Sequence, residues 1–195
     1  MNWLLLAAIA VAQPLYKVEI DNAWVHVVRE TIPAHAKADA HAHGNPTVTV
    51  YVAATREHHA GDVVWRDAGT HAEENVGDHP ADIVVIELKP DAPRSERVGL
   101  DPVKIDPKYH LVALENARVR ALRTILEPGI KSPLHEHPHY VVVYLTELHT
   151  TMELADGRVV DNPRRPGDTA WRDYMKHATL NVGKKTAVEI QVELK

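Results

Sequence analysis

The chain is written twice, and what both copies retain is histidine. Residues 61–89 and 167–195 align without a gap at an offset of 106, and 14 of the 29 positions hold the same residue. At a match rate of roughly 6%, unrelated sequences would share about two. The matches include Gly61/Gly167, Asp62/Asp168, Trp65/Trp171, Arg66/Arg172, Asp67/Asp173, His71/His177, Asn75/Asn181, Gly77/Gly183 and Glu87/Glu193. Upstream, residues 20–43 align with 114–137 at an offset of 94, matching Asn22/Asn116, Arg29/Arg123, His41/His135 and His43/His137. Each copy thus has a His-x-His pair and a lone histidine further on. The offset grows by 12 (106 − 94), so the second copy carries a longer connection within residues 146–166. A repeat of this length marks a duplicated domain rather than a short-period solenoid. Two small domains bury only a modest share of their surface each, so the halves are expected to pack on one another or the chain to oligomerise.

Between the copies, residues 91–107 are polar and rich in proline, and they read as a linker. The organisation expected is a first domain over 13–90, the linker over 91–107 and a second domain over 108–195. Residues 1–12 are apolar and end in Ala10-Val11-Ala12, the small-x-small pattern of a cleaved secretory signal peptide. The segment is too short to span a bilayer. An exported chain, periplasmic or extracellular and free of the membrane once the signal is removed, is the expectation. The competing reading is an apolar first strand in a cytoplasmic protein.

The apolar runs are short and β-branched, and several alternate, as in Thr47-Val-Thr-Val-Tyr-Val52 and Val188-Glu-Ile-Gln-Val-Glu-Leu194. Turn signals such as Glu127-Pro-Gly129 and Ala155-Asp-Gly157 separate them. The pattern is that of an all-β sandwich or barrel, with no long amphipathic helix. Lys plus Arg of 22 against Asp plus Glu of 27 gives a net charge of -5 without a basic tract, which argues against nucleic acid as a partner. Cysteine is absent, so a metal would have to be held by nitrogen and oxygen.

The 14 histidines concentrate the chemical interest. Residues two apart on a strand point to the same face, about 6.5 to 7 Å apart. His41 and His43, or His135 and His137, would project side by side into one cavity. Two imidazoles from one strand and a third from a distant strand, His71 or His177, make a facial metal site with open positions. The competing reading is a set of hydrogen-bonded interior histidines. Tyr140 is a candidate proton donor or substrate contact, and Trp65 and Trp171 are candidates to line a pocket. Arg66/Asp67 and Arg172/Asp173 read as surface pairs, the alternative being contacts to an anionic substrate, and His58, His59 and His79 as solvated turn residues. No residue stands out as an obligatory catalytic acid or base.

These residues resemble the cupin superfamily, and the chain as a whole looks like a bicupin, two double-stranded β-helix (jelly-roll) barrels in tandem. Gly129-Ile-Lys-Ser-Pro-Leu-His135-Glu-His137 fits the front half of the first cupin motif. The stretches from Gly61 to Asn75 and from Gly167 to Asn181 are similar to the second. The first copy departs by having His35 where the opening glycine should stand. The motif's glutamate is missing from both, its expected places being Thr47 or Val48 and Val141 or Val142. The resemblance implies a divalent metal (Fe, Zn, Mn or Ni) held by His135, His137 and His177 and by His41, His43 and His71. It implies a small-molecule ligand and dioxygenase-type chemistry on it, or isomerase or hydrolase chemistry. The alternative is a non-catalytic cupin that binds a small ligand or metal in the periplasm. The second copy keeps Pro128-Gly129 and the longer connection, which makes it the better candidate for the working site.

Overall fold

The computed structural model describes residues 14–94 and 98–195. Residues 1–12, where the sequence suggests a signal peptide, and residues 95–97 of the expected linker lie outside the described residues. The first half runs β1 (Leu15–Asp21), β2 (Val25–Ile32), β3 (His41–His43), β4 (Thr47–Tyr51), β5 (Val63–Arg66), β6 (Gly69–His71) and β7 (Ala81–Leu88). A four-residue helix, α1 (Pro102–Ile105), lies within the linker. The second half follows with β8 (His110–Glu115), β9 (Val119–Leu126), β10 (His135–His137), β11 (Tyr140–Tyr144), β12 (Leu148–Leu154), β13 (Val159–Arg164), β14 (Thr169–Arg172), β15 (Met175–Asn181) and β16 (Ala187–Leu194).

Each half has a five-stranded antiparallel sheet, ordered β1-β2-β7-β4-β5 in the first and β14-β11-β16-β9-β8 in the second. These sheets are the same object, since β1 and β8 carry the same bulge, between Val18 and Ile20 and between Val112 and Leu114. The facing sheets differ. The second half closes its barrel with β10-β15-β12-β13, whereas the first, among the described residues, has β3-β6. The extra residues of the second copy form most of the hairpin β12–β13, and the first half replaces it with a short loop after β4.

The alternation along the strands serves two cores. Val25, Val27, Val48, Val50, Val84 and Ile86 of the first half pack with Val119, Ala121, Val141, Val143, Ile190 and Val192 of the second. The five-stranded sheets are therefore stacked face to face, as expected of small domains that cannot bury enough alone. The opposite faces look into the barrels. Ile32, Tyr51, Ile83 and Val85 fill the first, and Leu126, Tyr140, Val142, Tyr144 and Leu148 the second.

Repeated residues hold this arrangement. Arg29 donates from Nη1 to the carbonyl of Gly167 at 3.1 Å, and Arg123 donates from Nη1 to the carbonyl of Ala60 at 3.2 Å. Each half grips the other with the same arginine. Gly61 and Gly167 have φ of 87° and 83°, and a Cβ on either would overlap the guanidinium that reaches over it. Asn75 and Asn181 clamp the turns that follow them. The amide of Asn181 donates to the carbonyls of Leu126 and Lys185, and its oxygen accepts from Gly183 N. Asn75 makes the matching bonds to Ile32, Pro33, His79 and Gly77. His35, in the place of Gly129, adopts the same left-handed conformation, with φ of 58° against 77°.

Candidate metal centres

Both halves bring their three repeated histidines together by the same register. β3 pairs with β6 so that His41 stands opposite His71, and β10 pairs with β15 so that His135 stands opposite His177. In the first half the ring centroids are 5.0 Å apart for His41 and His43, 4.6 Å for His41 and His71, and 5.0 Å for His43 and His71. One nitrogen from each falls within 4.8 Å of the others. In the second half His177 Nε2 lies 3.1 Å from His135 Nε2. The His137 ring is 4.9 Å from that of His135 and 5.5 Å from that of His177.

A fourth imidazole joins the second group. His110, the first residue of β8, lies 4.8 Å from the His135 ring and 6.2 Å from that of His137. The second-half set whose ligating atoms all fall within 4.8 Å of one another is His110, His135 and His137, and His177 stands beside it through the contact with His135. Sequence reasoning missed this residue because its counterpart at the offset of 94 is Tyr16, so no repeat drew attention to it. The equivalence is visible in the register, where Tyr16 pairs with Glu30 and His110 with Thr124. Tyr16 reaches to 6.4 Å from the His41 ring.

The Nδ1 atoms point away from the centres to fixed acceptors. His41 Nδ1 donates to the Asp39 carbonyl at 3.0 Å and His43 Nδ1 to the Glu87 carboxylate at 3.2 Å. His135 Nδ1 donates to the Pro133 carbonyl and His137 Nδ1 to Glu193, each at 2.7 Å; His110 Nδ1 donates to the Asp106 carbonyl at 3.3 Å. These acceptors set the tautomer and leave Nε2 as the lone-pair atom aimed at its neighbours. The Nε2 atoms of His41, His43 and His137 are buried and without a hydrogen-bond partner. Buried polar atoms are rarely left so. A divalent cation is what such atoms fit, and the outer carboxylates Glu87 and Glu193 are the same residue of the repeat.

Burial pushes the second group's imidazoles toward the neutral, metal-binding form. It holds His135 down to about 4, His137 and His177 well below the usual value, and His110 below it too. Glu193 is pushed up by burial against the pull of Arg120, whose Nε donates to it at 2.6 Å. In the first group, partial burial lowers His71. Glu30, on the barrel face of β2, is buried with Oε2 unpartnered, and burial raises its carboxyl.

Several other side chains sit apart from where the sequence suggested. Trp65 and Trp171 pack against the core between the two sheets and not toward the histidines, because they pair with Val48 and Val141, whose side chains face the other half. Their Nε1 atoms donate to Asp67 and Asp173 at 3.0 and 2.9 Å. Those aspartates are consequently not partners of Arg66 and Arg172, which turn inward. Arg66 Nη1 reaches Thr49 at 3.2 Å and Glu73 at 3.1 Å, and Arg172 Nη2 reaches Asn162 at 3.4 Å. His58 is not simply solvated, since it stacks on Tyr51 with ring centroids 3.9 Å apart. Tyr140 is fully buried inside the second barrel, its ring 4.9 Å from that of His137.

No protein-family model and no curated protein sequence matches the chain. Among solved structures, AerE from Microcystis aeruginosa superposes with a TM-score of 0.67 at 12% identity, over 93% of this chain and 98% of that one. An oxalate decarboxylase variant from Bacillus subtilis gives 0.63 at 11% identity, over 95% of this chain and 78% of that one. A salicylate 1,2-dioxygenase variant from Pseudoaminobacter salicylatoxidans gives 0.60 at 10% identity, over 87% and 71%. These superpositions run over both halves of the chain and agree in fold: the chain is built of antiparallel β-barrels of the cupin type.

Proposed function

We propose that this bicupin binds a divalent metal through His41, His43 and His71 in one barrel and through the His135, His137 and His177 group in the other, and that it acts on a small molecule there. The observation that carries the reading is the convergence of buried, unpartnered Nε2 atoms whose tautomers are set by repeated acceptors. A bound Fe(II) would supply oxygenase-type chemistry, and Zn, Mn or Ni would supply Lewis acidity for an isomerase or hydrolase reaction. The chain's own contribution is to hold the imidazoles neutral and oriented, through Glu87 and Glu193, in a partly water-free cavity. The similarity to an oxalate decarboxylase and to a salicylate dioxygenase supports a metal-dependent role without selecting the substrate. The complete burial of the second group favours a second reading, a protein that holds metal without turning over a substrate there. The apolar residues 1–12 support export, with the mature chain beginning at Gln13.

The test is metal analysis of protein purified without a histidine tag. Bound iron, zinc, manganese or nickel that is lost on replacing His41 and His135 with Ala supports the proposal. Protein that takes up none of these metals on reconstitution refutes it.

A further inference from the structure

The two histidine groups are not equivalent in access. His110, His135, His137 and His177 are all 2% exposed or less. In the first half the side chains of His43 and His71 are 15% and 23% exposed. Two structural differences produce this contrast among the described residues.

One is the roof over the second barrel. Gly99 N and Leu100 N donate to the Glu136 carboxylate at 2.7 and 3.1 Å, and Glu136 N donates to the Leu100 carbonyl at 2.9 Å. Asp101 caps α1 by accepting from Val103 N, and it accepts from Arg120 Nη1 at 3.0 Å. The linker is thereby fastened across β10 and β9 before it delivers His110 into the centre. The other difference is the missing hairpin. Without a counterpart of β12–β13, the first barrel keeps a cavity of about 310 Å³ lined by Tyr51, His58, Arg66 and Glu73. Glu73 Oε1 is also 3.6 Å from His71 Nε2, so the cavity adjoins the histidines.

We propose that the two centres divide the work: His110 completes a sealed four-imidazole metal centre in the second barrel, and the small molecule is handled in the first. This rests on the metal-binding reading above. His110, His135 and His137 already lie together, and His177 Nε2, 3.1 Å from His135 Nε2, is the group at hand to take the fourth position of a tetrahedral ion, leaving none for a ligand, whereas three histidines leave one open. Tyr16 stands where the fourth ligand would come from, and it is 52% exposed and supplies no imidazole. The cavity beside the first centre is lined by charged and hydroxyl groups, with Glu30 buried behind it, so the molecule it takes is small and polar. The ranking suggested by the sequence, with the second copy as the working site, is reversed on this proposal.

The experiment loads the protein with Co(II) and follows its visible spectrum while azide is added as a small anionic probe of open coordination positions. Both centres should take cobalt, and azide should perturb only part of the spectrum. That part should vanish in His71→Ala and persist in His110→Gln, where a second azide-sensitive band should appear. A chelator should strip the first centre about tenfold faster or more, because release from the buried centre waits on local opening. Azide that perturbs both centres of the wild type alike, or only the band that survives in His71→Ala, overturns the division of labour and leaves metal binding intact. Failure to bind cobalt at all overturns the metal reading itself. The wild-type and His71→Ala results decide the matter even where His110→Gln does not fold.

Discussion

Replacing His135 with Gln should make the metal-free protein less sensitive to acid, and the size of the effect follows from burial. His135 is 1% exposed, and burial holds its imidazole down to about 4. In an unfolded chain the value is about 6.5. As pH falls from 6.5 toward 4, the unfolded chain takes up a proton that the folded chain refuses, so folding stability is lost over that window and levels off below it. That difference corresponds to about 3 kcal/mol in full, of which about 2 kcal/mol is lost by pH 5. Glu189 works in the opposite sense. Burial raises its carboxyl to about 7, so its contribution is fully present below about 4.5 and fades as pH rises through 7. That background is common to wild type and variant and cancels in their difference. Urea unfolding in excess chelator at pH 8, 7, 6 and 5 gives the two stabilities. The gap between wild type and His135→Gln should shift by about 2 kcal/mol against the wild type between pH 8 and pH 5. A gap that stays constant across the series would show that His135 is not held neutral by burial.

Metal should be retained on dialysis at pH 8 and lost at about pH 5, first from the more exposed histidines of the first barrel, because a protonated imidazole cannot ligate; metal counted per chain at the two pH values checks this. Glu193→Gln removes the carboxylate that Arg120 Nε and His137 Nδ1 donate to while leaving Arg120 its Asp101 partner, so it should cost about 2 kcal/mol in urea unfolding and reduce metal affinity about ten- to a hundredfold. Glu87→Gln, at the equivalent but more solvated place, should cost no more than about 1 kcal/mol. Gly167→Ala places a Cβ into the Arg29 guanidinium at a left-handed φ, whereas Gly157→Ala, with φ of 84°, meets nothing within 4 Å. Thermal melts should show the first as clearly more destabilising, the second costing only the backbone penalty of about 1–2 kcal/mol.

The parts of the molecule legible in the sequence were those that the repeat marked. His41, His43, His71 and their second-half partners were matched pairs, and strand alternation was enough to place each His-x-His on one face. Repetition does not separate function from architecture, however. Trp65 and Trp171 recur because they cover the seam between the sheets, and Asn75 and Asn181 because they clamp turns. His110 was illegible for the converse reason: its importance lies in being unlike Tyr16, and it opens a strand whose exposed Leu111 and Val112 give no clear alternation. The inward turn of Arg66 was equally hidden, since an Arg-Asp neighbour pair gives no sign that the aspartate is taken by a tryptophan.

The reciprocal grip of Arg29 on Gly167 and Arg123 on Ala60 is the geometry of a two-fold homodimer drawn within a single chain. In a true homodimer every substitution arises in both subunits at once, so a residue that seals one centre seals the other. Joining the subunits end to end lifts that constraint while keeping the shared interface. One copy can then lose a hairpin and carry a tyrosine where the other has a histidine, and the two centres can evolve as separate instruments held at a fixed distance by the sheets they share.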